Sequence, residues 1–172
     1  MAQKFNIHQD ISKAETLPAS FYRDKEVFER IKEKIFLKTW QWIGDENLVA
    51  LPQSVYPLVL LENYLTEPLV IVRNEKDKIN CFTNVCTHRG NLVALNPGKK
   101  KKLTCMYHGR RFNLDGKFEH MPEFEETEDF PRPCDHLYKF PLEKWGPLLF
   151  VGLNPEFQFS NNNKIGTITS AN

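Results

Sequence analysis

Hydrophobic positions along the chain change their period twice. Residues 1–23 mix polar and apolar types without a repeat, and Leu17-Pro18 favours extended backbone, so this stretch reads as an arm lying on the surface of something larger. From Asp24 a helical period sets in: Phe28, Ile31, Ile35 and Phe36 fall on one stripe, while Lys25, Glu29, Lys32, Glu33 and Lys38 take the other face. Asp24 is a good N-cap and Glu26 suits the positive end of a helix dipole, which sets the predicted helix at 24–38. Beyond Trp40 the pattern shortens to strand-like runs at 41–43, 57–61, 69–73, 79–83, 102–104, 111–113, 117–119, 137–139 and 148–152, separated by turn residues. The polar stretch 74–78 reads as a hairpin connection and Asp115-Gly116 as a tight turn. The fold class that follows is mainly β, with antiparallel sheets and one N-terminal helix.

Two further stretches lack any such period. Residues 121–133 carry three prolines and the acidic set Glu123, Glu125, Glu126, Glu128 and Asp129, which predicts a loop over the surface. The tail 156–172, with Asn161 to Asn163 in a row, reads as flexible. The expected organisation is therefore an arm at 1–23, one domain at 24–155 and a tail, with no internal repeat. Trp40, Trp42 and Trp145 are assigned to packing.

Composition narrows the function classes. The chain has 172 residues and a formal net charge of +1 from 23 basic against 22 acidic residues, which gives no reason to expect nucleic acid or an anionic membrane as partner. No window approaches the ~20 apolar residues of a membrane span, and the N-terminus lacks a secretory apolar run. A cytoplasmic location is expected. Four cysteines without a signal peptide point to metal binding rather than a disulfide framework.

The chemistry lies in two segments, Cys86-Thr87-His88-Arg89-Gly90 and Cys105-Met106-Tyr107-His108-Gly109, which together read C-x-H-x16-C-x-x-H. Two loops that each offer one thiolate and one imidazole can enclose a two-iron cluster, both sulfurs on one iron and both histidines on the other. Neutral imidazoles in place of two thiolates make such a cluster easier to reduce than an all-cysteine one. Gly90 and Gly109 permit backbone angles closed to other residues and a close approach of N–H groups to sulfide. Zinc is the alternative for any Cys2His2 set, but zinc fingers usually pair cysteine with cysteine and histidine with histidine. Cys81 and Cys134 read as packing or surface residues, as do His8, His120 and His136.

These two segments, together with Leu114-Asp115-Gly116, resemble the Rieske domain of ring-hydroxylating oxygenase large (alpha) subunits. The helix leading to Ile35-Phe36 and Thr39-Trp40, the strand pair at 58–61 and 69–72, and residues 146–153 are similar to that family too, so the resemblance spans about 15–155. It implies a Rieske domain of antiparallel sheets with a cluster-binding subdomain, and a 2Fe-2S cluster held by Cys86, His88, Cys105 and His108, with Gly90, Gly109, Tyr107, Arg89 and Arg110 in support. In that family the domain receives electrons from a reductase or ferredoxin and passes them to a mononuclear Fe(II) in a larger catalytic domain of a dioxygenase or monooxygenase. That catalytic domain is expected outside this chain, and no catalytic residue is assigned within it. An aspartate of the catalytic domain, often of a neighbouring subunit, bonds the histidine corresponding to His108, so His108 is expected to present a free ring nitrogen to solvent.

The same resemblance leaves alternatives. A free-standing Rieske ferredoxin would use the same four ligands, but it usually lacks the helix and arm; a module keeping a cluster only for folding is a third reading. Respiratory Rieske proteins carry disulfide cysteines where this chain has Asn91 and Met106-Tyr107, and a serine where it has Arg110. Oxygenases usually carry tryptophan at that place, so Arg110 leaves the partner surface open. With fewer hydrogen bonds to sulfur, the expected potential is near the bottom of the Rieske range, about −150 mV. Tyr107 is expected to shield the cluster or to bond a cysteine sulfur. The run from Lys99 to Lys102 reads as a solvated loop tip, with docking of an acidic electron donor as the sharper alternative. The arm and helix resemble those of oxygenases acting on quaternary amines such as choline.

Overall fold

The computed structural model describes residues 5–124, 126–156 and 158–159. One helix, α1 (Lys25–Ile31), precedes eleven short strands: β1 (Trp40–Asp45), β2 (Ser54–Leu60), β3 (Glu67–Arg73), β4 (Ile79–Thr83), β5 (Gly98–Lys99), β6 (Leu103–Thr104), β7 (Arg111–Phe112), β8 (Phe118–His120), β9 (Lys139–Phe140), β10 (Leu142–Trp145) and β11 (Leu148–Gly152). Among the described residues the strands form three antiparallel sheets, ordered β1-β11-β10, β5-β2-β3-β4-β9 and β6-β7-β8.

β3 organises the interior. Successive side chains of a strand point to opposite faces, so a central strand covered on both sides is a continuous apolar run. Leu69 and Ile71 join Ile43, Val49, Cys81, Leu149 and Val151 in a core on the side of the first sheet. Val70 and Val72 join Val55, Phe82, Val93, Leu103, Phe112 and the two cysteines Cys86 and Cys105 in a second core on the side of the small sheet. The second core is the floor of the functional region. Pro57 sits inside β2 without cost, because β5 pairs only with Ser54 and Val55 and no ladder needs a proline N–H there.

Three sequence expectations change. The helix starts as predicted, with Asp24 Oδ1 accepting from the N–H groups of Glu26 (2.8 Å) and Val27 (3.3 Å). It departs from α geometry at Lys32, where residues Lys32–Phe36 form a π-helical turn closed by the Leu37 N–H on Lys32 O at 3.0 Å. The buried position of the helix is Val27, outside the predicted stripe; Phe28 and Ile35 are both half exposed, and Phe28 and Phe36 pack edge-on against Tyr64 at 4.6 and 5.0 Å. The arm folds back on the chain itself, with the Phe5 ring 5.0 Å from Phe21 beside Val27 and Ile31. The predicted flexible tail is anchored at its start: the Glu156 N–H bonds Lys38 O, and Phe159 packs on Trp40 and Phe150. Residues 160–172 and 1–4 lie outside the described residues.

Trp42, assigned to packing, is 63% exposed. β5 and β10 were not predicted, since one is two residues long and the other is an edge strand whose Glu143 and Lys144 face water. No helix among the described residues is long and apolar enough to cross a membrane.

Candidate metal centre

The two cysteine-histidine loops share one build. In the first, the Cys86 N–H bonds Asn91 O at 2.8 Å and the Gly90 N–H bonds Cys86 O at 3.1 Å. In the second, the Cys105 N–H bonds Arg110 O at 2.8 Å and the Gly109 N–H bonds Cys105 O at 3.0 Å. Each loop thus closes over five residues, and the glycine at the fifth position of each takes the left-handed conformation, with φ +73° in both. That is the physical reason for a glycine four residues after each cysteine: a side chain at that step would strain the turn.

This geometry sorts the four side chains by depth. Cys86 and Cys105 are buried in the second core, and their thiols are hydrogen-bond partners of each other. His88 is partly buried and His108 exposed, with ring centroids 4.8 Å apart. Sulfur meets sulfur below and imidazole meets imidazole above. Among the described residues, no three histidine, cysteine, aspartate or glutamate side chains converge on one point as a single ion requires. Two pairs at two depths suit a group with two metal atoms, one taking sulfur and one taking nitrogen.

The electrostatics favour the ligand form at Cys105 and His88 and oppose it at Cys86. Burial pushes the Cys105 thiol up, but the N–H groups of Tyr107 and His108, the Cys86 side chain and Asn91 outweigh it, and the thiol lies below its ordinary value. Burial holds Cys86 up; the His88 N–H and the charge of Arg110 pull the other way. Burial lowers His88, with the charges of His108, Arg89 and Arg110 adding to it, so the neutral imidazole that a metal takes is favoured. Cys81, deep in the other core, is pushed up to about 12 by burial and is inert.

The supporting residues divide in a way the sequence did not reveal. Tyr107 lays its ring on His108 at 3.9 Å, and it is its backbone N–H, not its hydroxyl, that reaches the Cys105 sulfur. His108 has no carboxylate partner among the described residues. Arg89 is exposed beside His88. Arg110, left open as part of a partner surface, is instead 2% exposed and bonds Asp135 at 2.7 Å, so it faces no partner. The loop 121–133, read as surface, sends Phe124 to within 6.2 Å of the His88 ring and Phe130 to within 4.7 Å of Phe118. Its prolines and acids hid two aromatic residues with inward roles.

Other residues stay apart from the site. Cys134-Asp135-His136 repeats the first pair's Cys-x-His spacing, but no glycine follows; Cys134 is exposed, and His136 Nδ1 accepts the Phe118 N–H at 3.0 Å. His8 accepts the Asp10 N–H in the arm. Lys102 pairs with Glu119 at 2.6 Å, while Lys100 and Lys101 line a groove with Leu92, Leu95 and Met106 beside the second loop.

Comparison with known proteins agrees with this arrangement. Residues 40–131, more than half the chain, match the Rieske [2Fe-2S] domain. The carnitine monooxygenase oxygenase subunit of Escherichia coli (strain K12) is 31% identical over 141 residues, 81% of this chain and 37% of that protein. The chloroplastic choline monooxygenase of Amaranthus tricolor is 30% identical over 140 residues, 81% of this chain and 30% of that protein. The solved quaternary ammonium Rieske monooxygenase CntA in complex with L-carnitine superposes with a TM-score of 0.78 at 28% identity, covering 90% of this chain and 43% of that one. Naphthalene 1,2-dioxygenase from Rhodococcus sp. shares the fold at a TM-score of 0.73 and 23% identity, covering 83% of this chain and 32% of that one. The chain therefore spans about a third to two-fifths of the length of these proteins. With its paired loops and its match over residues 40–131, the chain belongs to the Rieske 2Fe-2S domain family.

Proposed function

We propose that this chain relays single electrons through a Rieske 2Fe-2S cluster held by Cys86, His88, Cys105 and His108. They come from a reductase or ferredoxin and go to a mononuclear iron in the catalytic domain of an oxygenase, in the same or a neighbouring subunit. The observation that carries this reading is the stacking of a two-thiol floor under a two-imidazole rim in loops closed by the same pair of backbone hydrogen bonds. When bound, the cluster supplies a one-electron acceptor that reduces more readily than an all-cysteine one.

The chain's own groups do the rest. The N–H groups of His88, Tyr107 and His108 point at the sulfurs and stabilise their negative charge. The buried thiols keep water from the floor, and exposed His108, backed by Tyr107, forms the end open to an acceptor. The donor face is the groove beside the second loop: Leu95 and Met106 are 64% and 79% exposed, and Lys100 and Lys101 rim them. An apolar centre with a basic rim fits an electron donor with an acidic rim. Two relatives are named for carnitine and choline, both quaternary amines, so the assembled oxygenase is expected to take a substrate of that class.

Iron and acid-labile sulfide analysis tests the ligand assignment. Two irons and two sulfides per chain are expected, and Cys105→Ser or His108→Ala should lose both. A zinc-loaded, sulfide-free protein would overturn it.

A further inference from the structure

Arg110 is a charged residue withdrawn from water, and stability alone does not account for it. Its carbonyl closes the second loop on the Cys105 N–H, and its Nη2 donates to Asp135 Oδ1 at 2.7 Å. The guanidinium lies 5.0, 5.5 and 5.9 Å from the ring centres of Phe118, Phe130 and Phe112. Its Nε is buried with no hydrogen-bond acceptor among the described residues, leaving the aromatic faces as its surroundings. Asp135 is fixed in turn by the Arg132 N–H at 2.8 Å, and its carbonyl accepts the Thr87 hydroxyl at 2.8 Å. Thr87 stands between Cys86 and His88, so one ion pair reaches both loops.

An apolar side chain packed among those three phenylalanines would avoid the desolvation that a buried ion pair incurs, and such replacements are often neutral or stabilising. What an apolar residue cannot supply is a fixed charge beside the ligands. We propose that Arg110 is a positioning residue which, clamped by Asp135, ties the two loops together and holds a buried positive charge where they meet, making the group bound there easier to reduce. This rests on the cluster reading above. Arg110 follows His108 by two residues, and the carbonyl of its partner Asp135 holds Thr87 between Cys86 and His88, so the buried charge sits where the two loops meet.

Spectroelectrochemical titration of the cluster-loaded chain tests this. Arg110→Gln should lower the midpoint potential by roughly tenfold in the one-electron equilibrium, about 59 mV. Asp135→Asn, which removes the opposing charge, should raise it, and Arg110→Lys should stay nearer wild type than Arg110→Gln. A purely structural role would loosen the loops in every variant without splitting the sign. Should Arg110→Gln fail to keep its cluster, the direction of Asp135→Asn and the size of the Arg110→Lys shift decide. Shifts of the same sign, or potentials unmoved in a wild-type chain that does carry the cluster, would overturn this proposal alone. A wild-type chain with no 2Fe-2S spectrum would overturn the cluster reading, and this inference with it.

Discussion

Gly90 and Gly116 share a left-handed backbone, at φ +73° and +77°, but differ in what surrounds them. A Cβ on Gly90 would meet nothing within 4 Å, whereas one on Gly116 would lie 2.5 Å from Phe82 Cε1 in the core. Gly90→Ala is therefore expected to cost only the backbone strain, about 1–2 kcal/mol. Gly116→Ala adds overpacking of about 1–3 kcal/mol. Urea unfolding of the two variants measures the difference; equal losses would contradict it. Asp135 gives a pH-dependent case. Burial pushes its carboxyl up, but the Arg132 N–H and the Arg110 guanidinium outweigh it, so it lies below the usual 3.8. A carboxyl lowered on folding contributes stability that is present above 3.8 and lost as pH falls through the lowered value. Asp135→Asn should thus cost about 3 kcal/mol near neutrality, by stranding Arg110, and the gap from wild type should narrow in acid; urea titrations of both proteins on either side of pH 3.8 check this. The four candidate ligands were legible in the sequence because each loop is local. Asp135 was not, because it meets Arg110 from 25 residues away and no short motif records a fold-made contact.

At the scale of elements, the caps and turns were written in the chain more clearly than the middles. Asp24 was readable as an N-cap because its side chain acts on the N–H groups two and three residues ahead. Asp24→Ala should cost about 1 kcal/mol, measurable by thermal unfolding, and an unchanged midpoint would contradict the cap. The two hairpin turns use the same device. Asn74 Oδ1 accepts from the Lys76 and Lys78 N–H groups, and Asn113 Oδ1 accepts from those of Asp115 and Lys117. Asn74 Nδ2 then bonds Asp115 Oδ1 at 2.7 Å and joins the turns to each other. The π-helical turn was not legible, since no residue type within 32–36 marks the extra residue in the turn, and the buried Val27 lies outside the stripe that the period selects. β5 and β10 were missed because edge strands take their ladder from a neighbour rather than from an apolar pattern of their own.

Across the whole molecule, β3 divides the interior into a structural core and a second core that carries Cys86 and Cys105. Burying the thiols in that second core, with the histidines nearer the surface, gives the site a closed side and an open side. The cluster loops rest on the small sheet, on the Asn84 side chain, which both donates to and accepts from the backbone of Ala94, and on the Arg110–Asp135 pair. With backbone N–H groups and Asn91 as the donors to sulfur, and no serine after the second His-Gly, the midpoint potential is expected near the low end of the Rieske range, about −150 mV. A value well above zero in protein-film voltammetry would contradict that. Mixed nitrogen and sulfur coordination of two irons by two facing loops is read most directly by pulsed EPR of the reduced protein. Nitrogen couplings from two imidazoles on a single reduced 2Fe-2S centre are expected. A 2Fe-2S signal without nitrogen coupling, or no paramagnetic centre at all in protein that binds zinc, would contradict it.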